Sequence, residues 1–546
     1  MDKRTLFAMF LVIIIFMVLN TYVFKSQPAQ PEQDQTAVTD SGETAADSIP
    51  PVEMAQPVAA AAADTLFKPA SETATLKLSN DNFNVQFSTL GASITSVELN
   101  KYTWVNSDTL INLVPAKGRL AGLMLLGRHD ETDLTSLNWQ HDPPDSGRVV
   151  FWLGDKATPL VKKTYSLDNE YGIQMDVEVQ SPNQINGIGY DFSDGIADSE
   201  KISDKSKNTD YKLLLFAENN LEKISLNKLR KDEIKGSLSS FKWIAARTKY
   251  FTIAVCETGN QLTQNFTAAP ADETGNPSFV IDSWDSNPSF NWSQSFIIFA
   301  GPADYDILKS YEISRLEHIP ERGPSWLRWL ANAIAWLLKL LHSFIPNYGV
   351  VIIIFSVLLK IILYPLTHKS MDANLKMQRI QPQVQQIQAQ YKNDPKTMQA
   401  ELSKLYKETG ASPLSGCLPL LLQMPIFFAL YSVLRYTIDM RHAKFVGWLK
   451  DLSEPDPYLI LPILMAVFMI LQSLMTRPKK EALEKMDEKQ QAMQQSTKLM
   501  TWVMPIVLFF IFKGLPSGLV LYYTVFNILT VAHQYYLQKH HKTQGT

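Results

Sequence analysis

Ser356 and Lys360 lie four residues apart inside an otherwise apolar run, YGVVIIIFSVLLKIILYPLT (Tyr348–Thr367). An i, i+4 pair shares one helix face, so a hydroxyl and an ammonium are presented together. Two chemistries are open to such a pair. A Ser–Lys dyad with lysine as base would make an intramembrane hydrolase, although no oxyanion-hole signature accompanies the pair. Alternatively, the two groups line a hydrated groove and offer charge and hydrogen bonds to a polar chain. The run is long enough to span a bilayer, which takes about 20 residues. Lys360 sits roughly 9 Å from its Leu366 end at 1.5 Å per residue. A central cation there costs about 2.5–3.5 kcal/mol on the lenient insertion scale, which a water-filled groove would offset. Snorkelling towards the nearer headgroups is the competing account.

Other polar residues interrupt later apolar segments. Gln423 lies within LLLQMPIFF, and Asn527 within YYTVFNIL, where Tyr523 precedes it by four. Pro419, Pro425, Pro462 and Pro505 each remove a backbone donor and free a carbonyl, and in lipid such groups must face protein or water. A single buried Gln is commonly helix–helix glue. Polar residues on three spans, one charged, favour a shared hydrated cavity. The candidate groove residues are Lys360, Ser356, Gln423, Asn527 and Tyr523. No phosphate-cradling glycine loop, HExxH or dinucleotide fingerprint occurs. No catalytic residue, metal or cofactor is therefore expected, and no energy source of the chain's own is visible.

The elements that must hold these residues follow from hydropathy and charge. The chain has 546 residues and a net charge of −3, which gives no bulk argument for nucleic acid and predicts no specific nucleic-acid site. MDKR precedes an uncharged run, Thr5–Phe24, longer than a cleaved signal's apolar core. It reads as an uncleaved signal-anchor span (1–24) with a cytoplasmic N-terminus. Residues 25–72, rich in Pro, Ala, Gln and acids, read as a flexible linker on the outer side.

From about Thr73 the period becomes two. TLKLS, FNVQFS, SITSVEL, VVFWLG, YGIQMDVEVQ, YKLLLFAE, YFTIAV and SFIIFAG read as strands, separated by turn clusters SNDN, LGAS, DPPDSG and SPNQING. Phe241–Arg247 is expected to be a loop or short turn, and Ala303–Leu316 a helix. Residues 73–321 therefore form a large antiparallel β-sandwich. Its scattered His129, His141 and His318 make no catalytic constellation, and its charges are expected on solvated surface.

Residues 322–345 read as an interfacial amphipathic helix. In SWLRWLANAIAWLLKLLHSF, Arg328, Asn332, Lys339 and His342 form a cationic stripe beside tryptophans. Residues 346–538 carry five spans: Tyr348–Thr367, Gly416–Leu434, Tyr458–Met475, Met500–Phe512 and Gly518–Leu537. Met500–Phe512 covers roughly 20 Å against a hydrocarbon core of about 30 Å, and thins the bilayer or oligomerises. Residues 368–412 read as a helical hairpin: Ile380, Val384, Ile387 and Tyr391 repeat at heptad spacing, Asn393-Asp394-Pro395 breaks the pattern, and Met398, Leu402 and Leu405 resume it. That hairpin and loop 476–499 carry seven and six Lys/Arg, which assigns both to the cytoplasm. The β-domain then lies outside and the tail 539–546 inside. The fold class is a polytopic α-helical membrane protein with six spans and a large antiparallel β-sandwich outer domain.

Over NYGVVIIIFSVLLKIILYPLT, SPLSGCLPLLLQMPIFFALY, DPYLILPILM and LPSGLVLYYTVFNILT the chain resembles the YidC family of membrane protein insertases, close to the long form of double-membraned bacteria. The resemblance covers nearly the whole chain. It implies a five-helix insertase core and an outer domain similar to galactose-mutarotase-like sandwiches. It also implies insertion and folding of bacterial inner-membrane proteins, alone or beside the Sec translocon. Nascent membrane proteins, the lipid bilayer and, at the cytoplasmic loops, ribosomes are the implied partners. The family's groove cation is usually arginine, and Lys360 stands in its place, keeping the charge without the guanidinium fork. Ser356 stands where relatives carry a small hydroxyl residue, and Gln423 at a polar groove position. A small-solute transporter is a third reading, but the five-span half shows no obvious inverted repeat.

Overall fold

A computed structural model describes Phe67 and residues 70–104, 107–128, 130–145, 147–239, 241–259, 263–410, 418–475 and 502–543. The span expected at Thr5–Phe24, most of the linker 25–72, loop 476–499 and the residues flanking it, the start of the Gly416–Leu434 span and the last three residues lie outside these. The chain divides into two compact units, with the boundary between Pro320 and Glu321.

The first unit is β-rich, and every strand pairing is antiparallel. A four-stranded sheet takes Thr75–Ser79, Phe83–Ser88, Ser93–Thr103 and Leu110–Asn112 in sequence order. A larger sheet runs through Asn220–Ser225, Lys212–Ala217, Phe241–Arg247, Phe251–Glu257, Pro277–Pro302, Gly172–Phe192, Thr158–Leu167, Arg148–Asp155 and Gln140–His141. Alternate residues of the short strands bury because side chains on a strand point to opposite faces: Leu76 and Leu78 on one, Phe83, Val85 and Phe87 on the next. Rings join the two sheets, Phe87 to Tyr165 at 4.7 Å and Phe83 to Tyr171 at 5.9 Å, and the Tyr165 hydroxyl donates to Ala92 O at 2.8 Å.

Three local expectations are corrected here. Phe241–Arg247 is a strand inside the large sheet, paired on both sides. Its Trp243–Ala246 run is buried throughout, so the alternation that marks a half-exposed strand is absent. Arg247 is buried because its guanidinium donates to Ile319 O at 2.6 Å and Asp210 O at 3.2 Å. SPNQING is not a turn between strands. The strand Gly172–Phe192 continues through it, absorbing the irregular residues as register shifts against Pro277–Pro302, as bulges do. The helix expected at Ala303–Leu316 is only Tyr305–Ser310, capped by Asp304. Glu312 and Arg315, at φ 56° and 59°, turn the chain left-handed and end it.

The second unit is helical. Helix α1 is Arg328–Phe344 and buries Ala331, Ile334, Ala335 and Leu338, while Trp326, Trp329 and Trp336 are each at least 65% exposed. Helix α2 is Tyr348–Ile362, capped by Asn347, whose side chain accepts from the Gly349 and Val350 amides. Helix α3, Tyr364–Gln390, follows almost without a break but at 62° to it. The run Tyr348–Thr367 is thus bent rather than one straight helix. Pro365 explains the break: it lacks an N–H and its ring opposes the carbonyl four residues earlier. Helix α4, Pro395–Thr409, has Asp394 as its cap and ends at Gly410, φ 63°. Ile380 and Val384 of α3 pack with Met377, Leu402, Leu405 and Tyr406, so the two helices form the expected hairpin, with α3 rooted at the Lys360 helix.

Helix α5 is Leu418–Tyr436 and α6 is Ile460–Met475, the latter held at its start by Asp456, which accepts from the Leu461 amide at 2.7 Å. Helix α7 is Trp502–Phe512 and α8 is Ser517–Thr543. Helix α8 packs along α2 and α6, and α5 against α1. Among the described residues no single helix is long and apolar enough to cross a membrane. The bent pair Tyr348–Ile362 and Tyr364–Ala373 is, and Ile460–Met475 and Trp502–Phe512 are apolar but shorter.

Candidate functional site

The site grows from the contact between α2 and α8. Phe355 of α2 meets Tyr522 of α8, ring centroids 6.2 Å apart. One turn further along α2 stands Lys360, 7% exposed. Its ammonium donates to Thr530 Oγ1 at 2.9 Å and lies 4.7 Å from the Phe526 ring centroid. No carboxylate pairs with it among the described residues. A pocket of about 340 Å³ opens beside it, lined by Lys360, Tyr364, Leu529, His533 and Tyr536. A second pocket, lined by Glu218, Lys242 and Arg315 among others, belongs to the β-rich unit.

Beyond the bend, α3 supplies Tyr364 and His368. Tyr364 stacks on His533 at 4.8 Å. His368 Nδ1 and His533 Nε2 are 3.4 Å apart, with ring centroids 5.6 Å apart. That centroid distance is close to the N···N distance plus the two ring radii, so the nitrogens point at each other in line. This is the geometry of an N–H···N hydrogen bond.

The polar residues singled out in the sequence are distributed as follows. Gln423 of α5 is buried, and its amide donates to the Tyr522 hydroxyl; Tyr522 meets Phe526 at 5.9 Å. Gln423 thus reaches the Lys360 neighbourhood through two rings. Tyr523 instead packs against Phe427 and Phe512, at 5.7 and 4.9 Å. Asn527 is buried, and its amide nitrogen has no partner among the described residues. At 100° per residue, Tyr523 and Asn527 lie roughly 80–120° around α8 from His533, on another face from the pocket. Ser356 is fully buried and donates to Ile352 O of its own helix at 2.7 Å, and no hydrogen bond links it to Lys360 among the described residues.

Sequence reasoning missed Tyr522, Phe526, Thr530, His533, Tyr364 and His368. The signal available was the spacing of Tyr522, Phe526, Thr530 and His533, which puts all four on one face of α8.

A family model described as the YidC periplasmic domain matches residues 75–337, and one described as 60Kd inner membrane protein matches residues 340–544. The membrane protein insertase YidC of Geobacter metallireducens is 30% identical over 560 residues, covering 99% of this chain and 98% of that protein. The chain belongs to the YidC family of membrane protein insertases. The Geotalea daltonii membrane protein insertase YidC is 29% identical, covering 99% of each chain. A solved structure, an active YidC insertase with its first transmembrane domain resolved, is 20% identical, with 86% of this chain and 94% of that one covered and a TM-score of 0.36. This YidC-family chain is a bacterial inner-membrane protein whose β-rich unit is the periplasmic domain. Its activity is membrane protein insertion, not a covalent reaction.

Proposed function

We propose that this YidC-family chain inserts its substrates through a hydrated groove centred on Lys360. The observation that carries this reading is a buried ammonium beside an open pocket, held by one hydroxyl and one ring and not neutralised by any carboxylate among the described residues. A substrate's short polar tail enters from the cytoplasm, where Lys360 attracts its acidic groups and Gln423 and Tyr522 offer hydrogen bonds. Ser356 stays buried in α2 with its hydroxyl on Ile352 O, and Tyr523 supports α8 through its aromatic cluster. The substrate's apolar segment moves along the lipid-facing side. Twenty Leu-like residues at about −0.3 to −0.6 kcal/mol each supply roughly −6 to −12 kcal/mol, enough to draw a short tail across without ATP.

The architecture proposed with this mechanism is six spans. They are Thr5–Phe24, then the bent segment Tyr348–Thr367, Gly416–Leu434, Tyr458–Met475, the short Met500–Phe512 and Gly518–Leu537. Both termini, hairpin 368–412 and loop 476–499 are cytoplasmic, by their Lys/Arg content. The exposed tryptophans of α1 suit a helix lying in the interface plane. Ribosomes at the cytoplasmic loops and the Sec translocon are the proposed partners. Site-specific crosslinking tests the groove: probes placed on the pocket residues Leu529 and Tyr536 should capture a stalled nascent membrane protein, and a probe on the β-rich unit's Lys242 should not. Crosslinks confined to the α6 face of α8 would remove the groove from this position.

A further inference from the structure

We infer that Thr530, with Phe526, is the positioning element for the Lys360 ammonium, and so sets the preference for acidic tails. This deepens the groove reading and rests on it. The Thr530 hydroxyl has one proton and donates it to Phe526 O of its own helix at 2.7 Å. Its lone pairs are then the only groups it can offer outward, and an ammonium, with three donors and no acceptor, is the complementary partner. Lys360 fills that role at 2.9 Å. Phe526, one turn before Thr530, presents its ring to the same nitrogen at 4.7 Å, within the range of a cation–π contact. A flexible four-carbon stem is thereby fixed at its tip by two groups on one turn of α8. The remaining N–H bonds of Lys360 are left for the pocket shared with Tyr364, Leu529, His533 and Tyr536. Without the cradle, the stem is free to reach other acceptors, and the charge facing the pocket is no longer localised.

The test uses the full chain in membrane vesicles, with two small substrates that differ only in an acidic or a neutral tail. Thr530→Val keeps the shape and removes the acceptor; it should lower insertion of the acidic-tail substrate about tenfold, the scale of one hydrogen bond to a charged group, and leave the neutral-tail substrate unchanged. Thr530→Ser, which keeps the hydroxyl, should restore it. In the Lys360→Met background, Thr530→Val should add nothing, because two groups acting as one unit are not additive. A second readout does not depend on insertion: acylation of Lys360 by an amine-directed reagent, followed by mass spectrometry, should be faster in Thr530→Val than in the wild type or Thr530→Ser. Equal labelling in all three, or an additive double variant, would overturn the positioning role. If Lys360→Met itself spares acidic tails while labelling still responds to Thr530→Val, the groove reading fails and the positioning contact stands.

Discussion

Replacing Lys360 by Met keeps the length of the side chain and removes its charge. The cost falls on whichever substrate uses that charge. For a carboxylate drawn to about 6 Å from the ammonium, Coulomb's law with an effective dielectric of about 20 gives roughly 3 kcal/mol, and with bulk water in the groove less than 1 kcal/mol. The pocket is open to one side while Lys360 itself is buried, so the effect should lie between these limits: a loss of about fivefold to a hundredfold for acidic tails. Neutral tails should lose little, and the apolar packing around Phe526 should be kept by Met. Lys360→Arg should retain insertion of both, since it restores a cation within reach of Thr530 and Phe526, although the planar fork will not reproduce the single-point contact. The assay is protease protection of matched acidic and neutral substrates in vesicles, at equal insertase levels and over a range of salt. Equal loss for both tails, or a loss indifferent to charge in the Lys360→Arg comparison, would refute the electrostatic argument.

Ser356→Ala should leave most insertion activity, because the hydroxyl donates to its own helix and a neutral hydrogen bond is worth roughly 0.5–1.5 kcal/mol; abolished activity in the vesicle assay would favour a nucleophile instead. Deleting much of Thr73–Gly301 should spare insertion of small substrates provided the first span and Ser325–Phe344 remain, whereas removing Ser325–Phe344 should impair it, as read by protease protection at matched expression. In the periplasmic domain, Lys163 is fully buried, donates to Ala121 O and lies 5.3 Å from the Tyr165 ring centroid; burial lowers its pKa to about 7. The unfolded chain then holds a proton that the folded domain has released between about pH 7 and 10.5, so this group makes the domain more stable as pH rises through that window, by up to about 5 kcal/mol. Lys163→Met should stabilise the domain at pH 7 and lose that advantage towards pH 10, measured as the difference between two denaturant titrations; a pH-independent difference would contradict the assignment.

Periodicity carries the strands that are half-buried. TLKLS and FNVQFS are strands with the bounds their alternation marks, and α3 and α4 pack through Ile380, Val384, Leu402 and Leu405 of the heptad seam, on either side of the Asn-Asp-Pro break. Two of the three failures share a cause: Phe241–Arg247 is covered on both faces, and the strand through SPNQING resumes its pairing with Pro277–Pro302 at Ile185 and Gly187. In both, partners distant in sequence supply what the local residues do not signal. The same division runs through the candidate site. An ammonium in an apolar run makes Lys360 a candidate from sequence alone, because its desolvation cost has to be met somewhere. The sequence also marks the YYTVFNILT segment, but not which of two adjacent tyrosines faces Gln423. A step of one residue turns a side chain by 100°, so the rotation of α8 against α2 and α5 decides that Tyr522 takes Gln423 while Tyr523 joins Phe427 and Phe512. That rotation is fixed by packing along the whole helix, and it alone sets Thr530 and Phe526, rather than Asn527, against the Lys360 ammonium.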